Sequence, residues 1–143
     1  MIQIINLGVK IPSFISKKSL KEYLKSLASS EDKQLNDLSV VFTDDDYLLE
    51  VNKQYLSHDY YTDVITFDYS DGNVVSGDIM ISIPRVKENA ESLSVSFEEE
   101  LYRVVFHGLL HLCGYKDKST ADEQLMRKKE NIYLDLFVSR ETK

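Results

Sequence analysis

Residues 101–112 read LYRVVFHGLLHL, apolar on nearly every side of a helix. Such a helix cannot lie on a surface, so the rest of the chain has to be built around it. Two of the three histidines, His107 and His111, fall inside this run, four residues apart. At about 100° per residue they stand one above the other on a single helix face. Hidden polar groups need partners, and one metal ion satisfies both imidazoles. The spacing is that of zinc-binding H-x-x-x-H helices. Gly114 can take the left-handed conformation that stops the helix, which makes Asp117 a candidate third ligand. Two imidazoles and a carboxylate leave one tetrahedral position open, which suits a catalytic ion better than a structural one. A histidine pair at this spacing is often no more than two hydrogen-bonded core residues. The terminating glycine, the carboxylate beyond it and the scarcity of histidine elsewhere favour the metal.

The flanking segments must supply the cover. Residues 3–7 are β-branched and apolar and read as a strand. After Pro12 a helix begins at Ser19, which opens a capping box with Glu22, or already at Ser16. Leu20, Tyr23, Leu24 and Leu27 form its core stripe, and the polar stretch 29–36 is expected to be a loop. Residues 38–42 form a second strand. Thr43 then caps a helix with Asp44, Asp45 and Asp46 in its first turn, where acids suit the positive end of the dipole. Tyr47, Leu48, Val51 and Tyr55 are expected to be its buried face. The loop 56–61 contains His58, read as a surface residue. From Val64 the chain alternates apolar with polar, turns at Asp71-Gly72-Asn73 and returns over 77–83, an antiparallel hairpin.

Pro84 suits the first turn of a further helix with Val86, Asn89, Ala90 and Leu93 on its apolar face. Ser96-Phe97-Glu98-Glu99 is the capping box that opens the histidine helix. Thr120, with Glu123 three residues on, is expected to cap the last helix. Leu125, Met126, Ile132, Tyr133, Leu136 and Phe137 are expected to be its core face. The fold class is α+β: one domain over residues 1–143, with about four strands in a mixed sheet and about five helices. One of these is the central buried helix. Strand order is left open.

At 143 residues there is enough chain for one core and not for two. A single cysteine excludes an internal disulfide framework and fits a reducing compartment. With no targeting signal and no long apolar span, a cytoplasmic protein without membrane contact is expected. The formal charge of −7 argues against indiscriminate nucleic-acid binding, so any such function needs a local basic patch. Lys17, Lys18, Lys21 and Lys25 form one candidate. Lys116, Lys118, Arg127, Lys128 and Lys129 form another, which begins inside the metal segment.

HGLLHLCGY (residues 107–115) resembles the H-G-x-L-H-L-x-G-Y signature of the YbeY-type metallo-endoribonucleases, proteins of ribosome maturation and quality control. Asn52-Lys53-Gln54-Tyr55 with Thr62-Asp63-Val64-Ile65-Thr66-Phe67 is similar to the N-x-x-Y-R…T-D-V-L-S-F block of that family. Gly77-Asp78-Ile79-Met80-Ile81 is similar to its G-D-I-x-I strand. The resemblance spans roughly residues 38–138 and implies the same α+β arrangement. It also implies one Zn²⁺ and a single-strand-specific endoribonuclease acting on ribosomal RNA, at the 3′ end of 16S rRNA, with the ribosome as partner.

Two positions depart from the family pattern. The third ligand is there a histidine; here the chain reads Lys116-Asp117, and Asp is a competent zinc ligand. Where the family has Arg after the tyrosine of its first block, this chain has Leu56, which can neither hydrogen-bond nor carry charge. Arg85, Lys116 and Lys118 are the candidate replacements for phosphate contact. The general base is not identified, and Asp63 and Asp78 are either turn residues or part of the cleft. Cys113, about 200° around the helix from His111, is read as a packing thiol. Ni²⁺ or Fe²⁺ would also suit the donor set.

Two rival functions follow from the same residues. A ribosome-associated assembly factor with a structural metal is favoured by Leu56 and by the acidic charge. A zinc metalloprotease is disfavoured because Gly108 stands where its catalytic glutamate would be.

Overall fold

The computed structural model describes residues 1–141. Its elements follow as β1 (Ile2–Asn6), α1 (Lys17–Ser30), β2 (Gln34–Thr43), α2 (Asp45–Leu56), β3 (Val64–Asp68), β4 (Val74–Ser82), α3 (Ile83–Leu93), α4 (Phe97–Leu112) and α5 (Thr120–Glu141). The strands form one mixed sheet in the order β1-β2-β4-β3. β1 and β4 both pair parallel to β2, while β3 and β4 form the antiparallel hairpin. Long crossovers make the parallel pairings possible, one carrying α1 between β1 and β2 and one carrying α2 and β3 between β2 and β4.

Alternation along the strands separates two cores. Val40 and Phe42 of β2 and Ile79 and Ile81 of β4 point into the main core with Leu101, Val105 and Leu109 of α4. Ile65 and Met80 point to the opposite face and pack with Leu48 and Val51 of α2. Gly108 lets α4 lie close to the sheet, since a Cβ there would lie 2.6 Å from Ile79 Cγ2. From Glu100 to Leu112 every residue of α4 is buried except Arg103, His107 and His111. Those three recur every fourth position and form one partly open stripe on an otherwise covered helix.

Several local expectations are corrected by packing. Thr43 is fully buried and its hydroxyl donates to the Leu7 carbonyl at 3.0 Å, so Asp44 caps α2 instead by accepting from the Tyr47 amide. Ser119 rather than Thr120 caps α5: its Oγ accepts from the Asp122 amide, and its own N–H donates to the Asp122 carboxylate. Ser16 is the N-cap of α1. The expected loop 29–36 shrinks to three residues, because β2 begins at Gln34 and pairs through a register shift with Val74 and Val75. Tyr47 and Tyr55 are exposed, since α2 covers only the hairpin end of the sheet. On α5, Met126, Tyr133, Leu134 and Phe137 are buried, whereas Leu125, Ile132 and Leu136 face outward. A long helix with apolar residues on two sides offers two possible faces, and contact with α4 chooses between them.

Candidate metal centre

His107 and His111 leave the exposed stripe of α4 toward the loop after it. The helix ends at Leu112, and Gly114 with φ +110° turns the chain back toward the histidines. The loop then presents Asp117, whose Oδ2 lies 3.3 Å from His111 Nε2 and 3.8 Å from His107 Nε2. The two rings stand nearly perpendicular, with centroids 4.6 Å apart. One ligand atom from each residue lies within 4.8 Å of the others. Donors about 2.0–2.1 Å from a shared ion in tetrahedral geometry are separated by somewhat more than 3 Å, so the cluster is of the right size.

Hydrogen bonds behind the rings decide what the facing nitrogens offer. His107 Nδ1 is 2.6 Å from Glu130 Oε2, and His111 Nδ1 is 2.9 Å from the Tyr115 carbonyl. A carboxylate and a carbonyl only accept, so each Nδ1 is placed to donate its N–H and each Nε2 faces Asp117, where with an ion between them it would offer its lone pair. This is the donor state that a divalent ion needs, held by outer partners of the kind that orient metal-binding histidines. The residues present fit a metal ion.

Neither outer partner was evident from the spacing of the sequence. Glu130 comes from α5 and is 5% exposed. Its other oxygen, Oε1, accepts from Arg103 Nη1 at 3.2 Å and pairs with Arg127 Nη1 at 3.3 Å. Burial pushes the Glu130 carboxyl up, but His107, Arg127 and Arg103 outweigh it and leave the group ionised more readily than usual. Arg103 is fixed further by Asn131 Oδ1 at 2.8 Å. The Tyr115 side of the loop is anchored at Glu31, which accepts from the Tyr115 and Tyr133 hydroxyls and pairs with Lys129. Burial again opposes the Glu31 charge, and those three donors again win, so its pKa lies below the ordinary carboxylate value. Glu100, one further residue of α4, has its carboxyl raised by burial.

Two cavities of about 470 and 250 Å³ share His107, Arg127 and Glu130 in their walls. Asp117 lines the larger; Asp63, Glu100 and Arg103 line the smaller. Asp63 therefore belongs to the cleft, whereas Asp78 lies in a separate cavity near β1 and accepts from Tyr69. Lys116 and Lys118 are exposed on either side of Asp117 without lining the cavities. Arg85 is bound to the Asp45 carboxylate at 2.6 Å and stacks over Tyr61, and it lines neither cavity that holds His107. Leu56 is exposed at the end of α2. His58 is exposed and stacked on Tyr60. Cys113 is buried in the main core, its thiol pushed up to about 11 by burial. No helix among the described residues is long and apolar enough to cross a membrane.

Comparison with known proteins bears on this geometry. The family model Endoribonuclease YbeY matches residues 3–138. The protein named Endoribonuclease YbeY of Flavobacterium psychrophilum is 58% identical over 115 residues, which cover 80% of this chain and 82% of that one. Its namesake in Bacteroides fragilis is 46% identical over 124 residues, covering 87% and 88%. The solution structure of TM1509 from Thermotoga maritima is similar with a TM-score of 0.73 at 31% identity, over 99% of this chain and 92% of that one.

Proposed function

The chain belongs to the endoribonuclease YbeY family, and from that membership we propose that it is a zinc-dependent hydrolase cutting single-stranded ribosomal RNA. His107, His111 and Asp117 hold one Zn²⁺. The work is done in the cytoplasm on the ribosome, in rRNA maturation at the 3′ end of 16S rRNA and in ribosome quality control. The observation that carries this reading is the pair of imidazoles held by Glu130 and by the Tyr115 carbonyl with both Nε2 atoms turned to one carboxylate.

Bound there, a divalent ion supplies a nucleophilic water at neutral pH and polarises a phosphoryl oxygen. The chain's own groups prepare that chemistry. Glu130, ionised and nearly buried, fixes the His107 tautomer and makes the imidazole a stronger donor. Glu31 holds the Tyr115 ring, and with it the loop that positions both the Tyr115 carbonyl and Asp117. An unpaired backbone can enter the cleft where a stacked duplex could not, which suits a single-stranded substrate.

Two rival readings meet specific obstacles. A metalloprotease base after the first histidine has no room, because Gly108 already touches Ile79. A purely structural metal is disfavoured because the three donors sit at the margin of a core that closes without them, and Asp117 is exposed. Zinc-loaded protein is expected to cut an unstructured rRNA fragment. Chelation or His111→Ala should abolish cutting while the circular dichroism spectrum and the cooperative melt persist. If removal of the metal unfolds the domain and no cleavage occurs, the assembly-factor reading replaces this one.

A further inference from the structure

The charged residues in the walls of the two cavities beside His107 are more often acidic than basic. Asp117 and Glu123 contribute to one, Asp63 and Glu100 to the other, and Glu130 to both. An RNA phosphodiester entering such a place meets repulsion unless a cation is available. Among the described residues that line either cavity the cations are Arg103 and Arg127. They are differently committed. Arg103 is 15% exposed in its side chain and gives its guanidinium to Glu130 and Asn131. Arg127 is 60% exposed, and its side chain pairs with Glu130 Oε1, 3.3 Å from Nη1.

Glu130 thus carries the His107 imidazole on one oxygen and the Arg127 guanidinium on the other. One carboxylate sets both the metal-facing ring and the free edge of an arginine over the same cleft. A guanidinium has five N–H donors in a fixed plane, so tethering one edge leaves the opposite edge for a phosphate. Lys116, Lys118 and Arg85 lack this placement.

We propose that Arg127 is the residue that grips the phosphodiester backbone of the RNA next to the metal centre, with Glu130, itself held by Arg103, keeping it in position. The inference rests on the endoribonuclease reading above. It assigns the phosphate contact to α5, after the metal segment, and gives an acidic protein acting on a polyanion one well-placed cation besides the metal.

The test is a salt titration of binding, read by fluorescence anisotropy of a labelled, unstructured oligoribonucleotide on zinc-loaded wild type, Arg127→Ala and Arg127→Lys. Cleavage and zinc content are measured on the same samples. Losing one charge-assisted contact should weaken binding by about tenfold in Arg127→Ala. The slope of log affinity against log salt should fall by about 0.7, the share of one phosphate on a single strand. Arg127→Lys should restore the slope, with affinity between the two. Unchanged binding and cleavage in Arg127→Ala would overturn the assignment and leave the nuclease reading standing. Loss of zinc from Arg127→Ala would also overturn it, by showing that the arginine acts through Glu130 on the metal. A wild type that neither binds nor cuts RNA would remove both readings together.

Discussion

Removing the Glu130 carboxylate should weaken metal binding without touching a ligand. Its Oε2 sits 2.6 Å from His107 Nδ1, and truncation to alanine frees the ring to rotate and to exchange tautomers. Loss of such an outer partner lowers metal affinity by about 10–100-fold, or about 1.4–2.8 kcal/mol. Stability should fall as well, because Glu130 is 5% exposed and Arg103 would lose a partner. Arg103 keeps Asn131 at 2.8 Å, so the loss should stay below the roughly 3–5 kcal/mol of a wholly orphaned buried charge. Glu130→Gln preserves shape and an acceptor oxygen while deleting the charge, so it should fall between wild type and Glu130→Ala. Zinc affinity by competition with a chromogenic chelator, alongside thermal melts with and without zinc, separates the two effects. Glu130→Ala binding zinc within twofold of wild type would refute the reasoning. So would Glu130→Gln binding more weakly than Glu130→Ala, because the carboxylate would then not be what orients the ring.

Two further outcomes follow from the same packing. Gly108→Ala places a methyl 2.6 Å from Ile79 Cγ2, so α4 or the Ile79 side chain must shift; a loss of about 1–3 kcal/mol in urea unfolding is expected. Wild-type stability from Gly108→Ala would show that the helix–sheet gap is larger than described. Glu31 has a folded pKa below its ordinary 4.5, so its contribution is present above about that pH and disappears as pH falls through the lower folded value. Glu31→Gln should therefore flatten the acid limb of a plot of stability against pH, with the difference from wild type closing at the acid end. A difference that grows on acidification would contradict the sign.

How much of this was legible follows from particular residues. The pair His107 and His111 was legible in the sequence as polar residues on one face of an apolar helix, and the structure adds Arg103 to the same partly open stripe. The antiparallel hairpin was legible from alternation and a Gly turn, and Pro84 and Ser96 mark their helix starts as expected. Thr43 and Thr120 failed as caps because a neighbouring Asp or Ser offered the same oxygen, and burial or chain direction settled which was used. Leu125 and Met126 look equally apolar in the sequence, yet one is exposed and the other buried.

Local spacing is imposed by covalent geometry, so the chain alone was sufficient for the buried helix, its paired imidazoles and a carboxylate just beyond the glycine. The supports behind them come from far away along the chain: Glu130 is 23 residues from His107, and Glu31 is 84 from Tyr115. No periodicity links residues so separated. Their meeting depends on how α5 and the end of α1 pack around α4, and that packing makes two histidines at helical spacing into a pair whose Nε2 atoms face one carboxylate.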